Sequence, residues 1–277
     1  MKTFFKIELK RCLRSKTFWV ALVISCILAL CQYVDNVLPM RKYLNVFKDA
    51  KVAVGTITPH TVFNKWIGGE DYTLWHYAFF MVLPILAAMP LGASLFLDVK
   101  SGIVKNYFIR SQKEKYYAAK YLMTFLSSGF VIFFGVFLNL FLASMTLPSI
   151  LPEASTGTYY VDGTGILAEL FYSKPYVYCV IYLAMIFVFS GLIGCLSLSV
   201  GTLADNVFTI ILLPFVLYLF LYAICIEPST YGFSPINFLN PAQGEGYNHI
   251  WMIVLELLIL IVTNVILACK GIRDEVY

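Results

Sequence analysis

The chain has 277 residues, of which 60% are hydrophobic and only 13% are charged, and its formal net charge is +4. An ordinary soluble domain is about one quarter charged. The composition therefore excludes a soluble catalytic domain and predicts an integral membrane protein.

Six segments are apolar enough to cross a bilayer, which needs about 20 residues of helix. In chain order they are 17–35, 76–97, 121–147, 176–200, 207–226 and 250–269. Unpaired backbone groups are costly in lipid, so membrane-spanning segments are helices or closed barrels. The alternating ten-residue segments of a membrane barrel are absent. We therefore predict an all-α integral membrane protein with six transmembrane helices, occupying residues 17–277.

Residues 1–16 precede the first span and mix cations with aromatic and aliphatic side chains. This composition is typical of an amphipathic helix that lies in the membrane interface. A disordered anchor is the alternative.

The basic residues predict the orientation. Segments 1–16, 98–120, 201–206 and 270–277 together hold 14 of the 20 Lys and Arg residues. Cytoplasmic loops carry such an excess, so both termini are predicted in the cytoplasm. The outer segment 36–75 holds five of the other six, but long loops obey the rule less strictly.

Segment 98–120 is the longest predicted cytoplasmic loop and contains a short helical pattern. Read as a helix from Gly102, it places Ile103, Val104, Tyr107 and Phe108 on one face. Such a face can rest on lipid or fill a groove in another protein, and periodicity leaves both readings open.

This loop resembles that of the permease subunits of type-2 ATP-binding-cassette exporters. In that family an acid ends the second span, a glycine follows four positions later, a Pro-x-x-Arg element comes next, and a lysine precedes the third span. Asp98, Gly102, Lys113 and Lys120 match the acid, the glycine, the arginine and the lysine, whereas Arg110 occupies the proline position. The layout of basic leader, six spans and short second cytoplasmic loop is similar too.

The resemblance implies that the leader is an elbow helix and that a coupling helix near 102–110 docks on a separate ATPase subunit. The implied ATPase contacts are Asp98, Gly102, Ile103, Val104, Tyr107, Phe108, Arg110 and Lys113. It also implies a second permease chain, identical or related, and a partner that binds ATP and Mg. No glycine here is followed by lysine, so this chain lacks a P-loop and is not the ATPase.

One acidic residue and two asparagines lie well inside predicted spans. Glu256, Asn139 and Asn264 are candidates for a translocation path or a dimer seam, because polar groups in a bilayer usually face a bundle interior. The alternatives are a glutamate near the headgroups and asparagines that pack helices together.

The predicted function is thus the permease of an ATP-driven exporter in the plasma membrane of a bacterium, with membrane lipid around it. A membrane-embedded enzyme acting on lipid or peptide and a non-transporting sensor or scaffold are the alternatives. We predict no catalytic, cofactor or metal residues in this chain and no nucleic-acid partner. The sequence does not indicate the substrate.

Overall fold

The computed structural model describes residues 2–42, 60–70, 73–110, 112–161, 163, 165–227, 229–243 and 249–273. This part of the chain is helical and contains no strand. Its α-helices are α1 (Lys2–Arg14), α2 (Lys16–Gln32), α3 (Val62–Lys65), α4 (Leu74–Ala88), α5 (Ser94–Lys100), α6 (Ile103–Arg110), α7 (Lys113–Thr146), α8 (Ala168–Ser173), α9 (Pro175–Val200), α10 (Val207–Ile224), α11 (Pro235–Phe238) and α12 (Ile250–Arg273).

Five helices in the described residues are long and apolar enough to cross a membrane. They are Lys16–Lys42, Lys113–Thr146, Pro175–Val200, Val207–Ile224 and Ile250–Arg273. The first comprises α2 and its continuation through a π-helical turn, Tyr33–Val37. The prediction of a helical, multi-pass membrane protein is confirmed at this level.

The predicted span 76–97 is not one continuous helix. Helix α4 ends at Ala88, a turn occupies residues 89–93, and α5 begins at Ser94. Pro90 lacks an N–H group and its ring clashes with the carbonyl of the preceding helical turn, so it interrupts the helix. Gly92 lies against α9, where an added Cβ would come within 2.4 Å of Ser197 Oγ. The turn therefore also lets the chain approach α9 closely.

Helices α7 and α9 make the most extensive helix–helix contact of the bundle. At Gly194 an added Cβ would lie 2.1 Å from Ser128 Oγ, so only glycine permits this approach. Small residues at helix contacts are typical of membrane bundles because they let backbones come close.

Contacts between connecting segments define two ends of the bundle. At one end, which we call the leader end, Arg11 pairs with Asp98, and the Tyr117 hydroxyl donates to Gly271 O at 2.9 Å. At the opposite end, Tyr178 donates to Pro241 O at 2.6 Å. Described residues from three of the segments that we predicted in the cytoplasm, 1–16, 98–120 and 270–277, therefore meet at the leader end.

Candidate functional site

The loop between α5 and α7 is held against the leader helix α1 by a cluster of buried charges. The cluster, here called the charge quartet, consists of Glu8, Arg11, Asp98 and Lys120. Its two acids and two bases make it formally neutral. Glu8 is 4% exposed, and Asp98 and Lys120 are each 1% exposed. Charged groups are almost never buried unless they are paired, and here each charge faces an opposite one.

Asp98 is the centre of the quartet. Its Oδ2 lies 2.6 Å from Lys120 Nζ, and its Oδ1 lies 2.6 Å from an Arg11 nitrogen. The Tyr116 hydroxyl donates to the same Oδ2 at 2.6 Å. Glu8 Oε1 is 3.4 Å from Lys120 Nζ and 3.8 Å from Arg11. One carboxylate therefore connects α1, α5 and α7.

The quartet keeps Asp98 ionised. Burial alone would raise the pKa of its carboxyl, but Lys120, the Tyr116 hydroxyl and Arg11 outweigh burial and hold this pKa below its ordinary value. For Arg11, burial opposes the charge, but Asp98 and Glu8 favour it and raise the pKa of the guanidinium. Both ion-pair partners are thus charged at neutral pH.

Gly102 allows the chain to turn from α5 into the loop helix α6. Its φ is +71°, in the left-handed region where a Cβ is unfavourable. An added Cβ would meet nothing within 4 Å, so the requirement for glycine is conformational and not steric. The Gly102 N–H donates to Val99 O at 3.0 Å and closes the turn.

The apolar face of the loop helix points into the protein. Val104 is fully buried, and the Tyr107 ring stacks on the Tyr116 ring with centroids 5.5 Å apart. Phe108 packs on Tyr116 and Tyr117, at centroid distances of 5.8 and 6.5 Å. The helix is therefore fixed to the first turns of α7 by stacked aromatic rings.

A different side of the loop helix is exposed. Ile109 is 82% exposed and Ile103 is 44% exposed, and Lys105 is exposed too. Lys113 Nζ lies over the Phe108 ring, 5.3 Å from its centroid. The side chain of Arg110, which ends the helix, lies outside the part that the structure describes.

The structure thus divides the residues predicted to contact an ATPase. Asp98, Val104, Tyr107 and Phe108 hold the loop to the bundle, while Ile103 lies on the outer side. The sequence analysis missed Glu8, Arg11 and Tyr116 as members of the site. One signal was present in the leader, where Glu8 is the single acid among many bases and stands three residues before Arg11.

Asn139 is fully buried and connects three segments at the opposite end. Its Nδ2 donates to Ala29 O at 2.8 Å and to Gln32 Oε1 at 2.6 Å, and its Oδ1 accepts from Ile67 N–H at 2.8 Å. All its polar atoms are thus engaged within the chain. This arrangement matches the helix-packing alternative for Asn139.

Asn264 is similarly engaged between α12 and α9. Its Oδ1 accepts from Ser199 Oγ at 3.0 Å, and its Nδ2 donates to Leu192 O and Leu260 O. Asn264 is 5% exposed. Its hydrogen bonds fix the last long helix to the bundle.

Glu256 differs from both asparagines. It is 8% exposed on α12, and no hydrogen bond or ion pair joins it to another described residue. Its helix and α10 are the least buried of the five long helices, with several large apolar side chains facing outward. Glu256 therefore lies in a helix that is open to lipid or to another chain.

Among the described residues, no group of three or more His, Cys, Asp or Glu side chains is arranged to hold a metal ion. In comparisons with known proteins, no family model, no curated protein and no solved structure matches this chain.

Proposed function

We propose that this chain is the permease subunit of an ATP-driven exporter in a bacterial plasma membrane. In this proposal the broken segment 76–97 is a sixth span, both termini are cytoplasmic, and the leader is an elbow helix. A second permease chain completes the path, and a separate ATPase binds ATP and Mg.

One observation carries the proposal. Ile109 is 82% exposed on a short helix at the leader end, outside the apolar part of the bundle. A large aliphatic side chain that is exposed on a helix packed against the bundle is suited to burial in a partner's groove. Ile103 and Lys105 are also exposed and lie on either side of Ile109 around the helix, so the partner's groove is expected to be apolar with an acidic rim.

The attachment of the loop helix would let it transmit force. Stacking of Tyr107 on Tyr116 and the Asp98–Lys120 pair connect the loop to the start of α7. Helix α7 has 34 residues, which at about 1.5 Å per residue extends about 50 Å, more than the roughly 30 Å of a bilayer's hydrocarbon core. A displacement of the loop helix by a closing ATPase pair would therefore move α7 as one rod.

The lipid-facing helices supply a place for the second permease. Helices α10 and α12 have broad exposed apolar faces, and Glu256 lies on α12. Glu256 is buried and is not part of these faces, so in the exporter it would border the seam between two chains or the substrate path. The polar groups of Asn139 and Asn264, which an embedded enzyme could have used, are occupied by helix-packing bonds.

Co-purification from native membranes tests the proposal. The wild-type chain should retain an ATPase that is labelled by a photoreactive ATP analogue, and Ile109→Asp should lose it. Two controls keep the fold and the partner: Ile109→Leu preserves the apolar contact, and Gln112→Asp adds the same charge at the N-cap of α7, where Asp is favourable.

If Gln112→Asp also loses the ATPase, the added negative charge alone would explain the loss in Ile109→Asp. That result would contradict a direct contact between Ile109 and the ATPase. If the wild type captures no ATP-labelled protein even after crosslinking, the exporter proposal is wrong. The membrane-embedded enzyme would then be tested next.

A further inference from the structure

The leader helix α1 presents three different faces. Successive helical residues are rotated by about 100°, so residues three or four apart share a face. Glu8 and Arg11 face the charge quartet. Phe5, Leu9 and Leu13 face a groove beside it. Lys6, Lys10 and Arg14, each four residues after the last, form a row along the third face, next to the leucines.

The groove lies between the leader and the long helices of the bundle. It encloses about 360 Å³ and is almost entirely apolar. Its lining residues are Phe5, Leu9, Cys12, Leu13, Phe18, Met123, Leu126, Ser127, Phe130 and Phe187. They come from α1, α2, α7 and α9.

The groove opens toward the lipid-facing side of α7. Phe130 lines the groove and is 41% exposed. Phe137 and Phe141, about two and three helical turns further along the same face, are 42% and 47% exposed. In a bilayer this ridge of phenylalanines contacts hydrocarbon. The groove is thus continuous with the region that acyl chains occupy.

The row of cations borders the groove at its polar edge. Lys6, Lys10 and Arg14 are exposed, and none of them forms an ion pair with a described residue. Leu9 and Leu13 belong both to the groove and to the surface that these cations form. An apolar groove and three free positive charges therefore meet along one helix.

We propose that this junction is a binding site for one anionic phospholipid of the leaflet at the leader end. An acyl chain fills the groove beside Leu126 and Phe130, and the phosphate lies against Lys6, Lys10 and Arg14. A soluble anion would leave the groove empty, and a zwitterionic lipid would bring its own positive charge to the cation row. The site depends on membrane insertion alone and does not require the exporter function.

Photocrosslinking of the purified full-length chain in lipid nanodiscs tests the site. The probes are phosphatidylglycerol and phosphatidylcholine, each with a diazirine in one acyl chain and at equal concentration. In the wild type, labelling between Met123 and Phe130 should be at least about fivefold greater with phosphatidylglycerol, since one cation near an anionic headgroup contributes about that factor.

Three variants separate charge from shape. The triple variant Lys6→Ala, Lys10→Ala, Arg14→Ala should abolish the preference for phosphatidylglycerol. Its matched control, Lys100→Ala, Lys105→Ala, Lys115→Ala, removes three exposed cations from the same end and should retain the preference. Leu126→Trp fills the groove and should reduce labelling by both lipids.

If Leu126→Trp fails to fold, Leu13→Trp provides the same test from the exposed side of the groove, since Leu13 is 51% exposed. Equal labelling of the wild type by the two lipids would overturn the proposal. Equal loss of preference in the two triple variants would also overturn it, and so would a groove that crosslinks to a second copy of the chain instead of lipid.

Discussion

Lys120 Nζ lies 2.6 Å from Asp98 Oδ2, and both residues are 1% exposed. The pair joins α5, which precedes the loop helix, to the start of the membrane-spanning helix α7, and Arg11 attaches the leader to the same carboxylate. A buried ion pair contributes little to the stability of a protein compared with apolar packing. Replacing only one of the two partners is nevertheless strongly destabilising, because the other charge then remains buried and unpaired.

Asp98→Asn should therefore destabilise the protein by about 3–5 kcal/mol, because Lys120 and Arg11 lose the carboxylate that they share. The measurement is thermal unfolding in detergent, followed by intrinsic tryptophan fluorescence. Glu114→Gln, at an exposed acid in the first turn of α7, is the control and should change stability by less than about 0.5 kcal/mol. In the double variant Asp98→Asn, Lys120→Met, part of the loss should be recovered. Strictly additive effects would show that the two residues do not interact.

The pH dependence of this contribution follows from the lowered pKa of Asp98. A carboxyl whose pKa is lower in the folded state stabilises the fold above its unfolded value, about 3.9, and loses that contribution as the pH falls through the folded value. The difference in melting temperature between the wild type and Asp98→Asn should hence be constant from pH 5 to pH 8. It should shrink only below about pH 4. A difference that shrinks between pH 5 and pH 7 would mean that Asp98 is not held ionised.

Gly102→Ala should destabilise the loop by roughly 1–2 kcal/mol, because alanine is strained at a φ of +71°. Gly102→Asn should cost less, since asparagine tolerates the left-handed region. Amide hydrogen exchange of residues 103–110 measures the local effect. Gly163→Ala is a suitable control, because an added Cβ meets no atom within 4 Å there and no positive φ is present. Faster exchange in the control variant would argue against a specific role for Gly102.

Asn139→Leu should lower stability by about 2–4 kcal/mol. The substitution leaves Ile67 N–H and the Gln32 side chain without their buried partners, and each unsatisfied group costs about 1–3 kcal/mol. Thermal unfolding is again the measurement. The control is Asn206→Ser at the exposed N-cap of α10, where serine is also a favourable residue. If Asn139→Leu were as stable as the wild type, the hydrogen bonds would not account for its position.

Glu256→Gln should leave the melting temperature nearly unchanged, because no described residue bonds to its carboxylate. Under the proposed function it should lower ATP-driven transport severalfold, since the charge would face the path or the seam. The assay measures ATP-driven export by the complex of this chain with its ATPase. Glu227→Gln, at the end of the bundle opposite the leader, is the matched control. Unchanged transport would exclude a role for the charge of Glu256.

The long helices could be predicted because their cause is local. Charges are absent over about 20 residues at a time, and lipid requires helix for such a segment. The break at residues 89–93 was not predicted. Pro90 was visible, but Pro84 and Pro214 lie inside continuous helices, so proline alone does not identify the break. The close approach of Gly92 to Ser197, more than 100 residues later in the chain, has no local signal.

Part of the candidate site could be predicted because helical periodicity is also a local property of the sequence. Helical periodicity placed Ile103, Val104, Tyr107 and Phe108 on one face. The last three do share a buried face, whereas Ile103 is 44% exposed on the outer side. Periodicity does not say what covers a face, and here α7 covers it. The link from Glu8 and Arg11 to Lys120 and Asp98 joins residues about 90 to 110 positions apart, which a single sequence does not reveal.

The distance along the chain between Arg11 and Asp98 also affects how the protein is made. The two residues are 87 positions apart, and Lys120 follows later still. At about 5–20 residues per second, the leader leaves the ribosome several seconds before its counter-charges exist. During that interval Glu8 and Arg11 lack Lys120 and Asp98, their partners in the folded protein. The contacts at the leader end are completed only when α7, which carries Lys120, reaches the membrane. The first helix to be synthesised is therefore among the last to be fixed to the bundle.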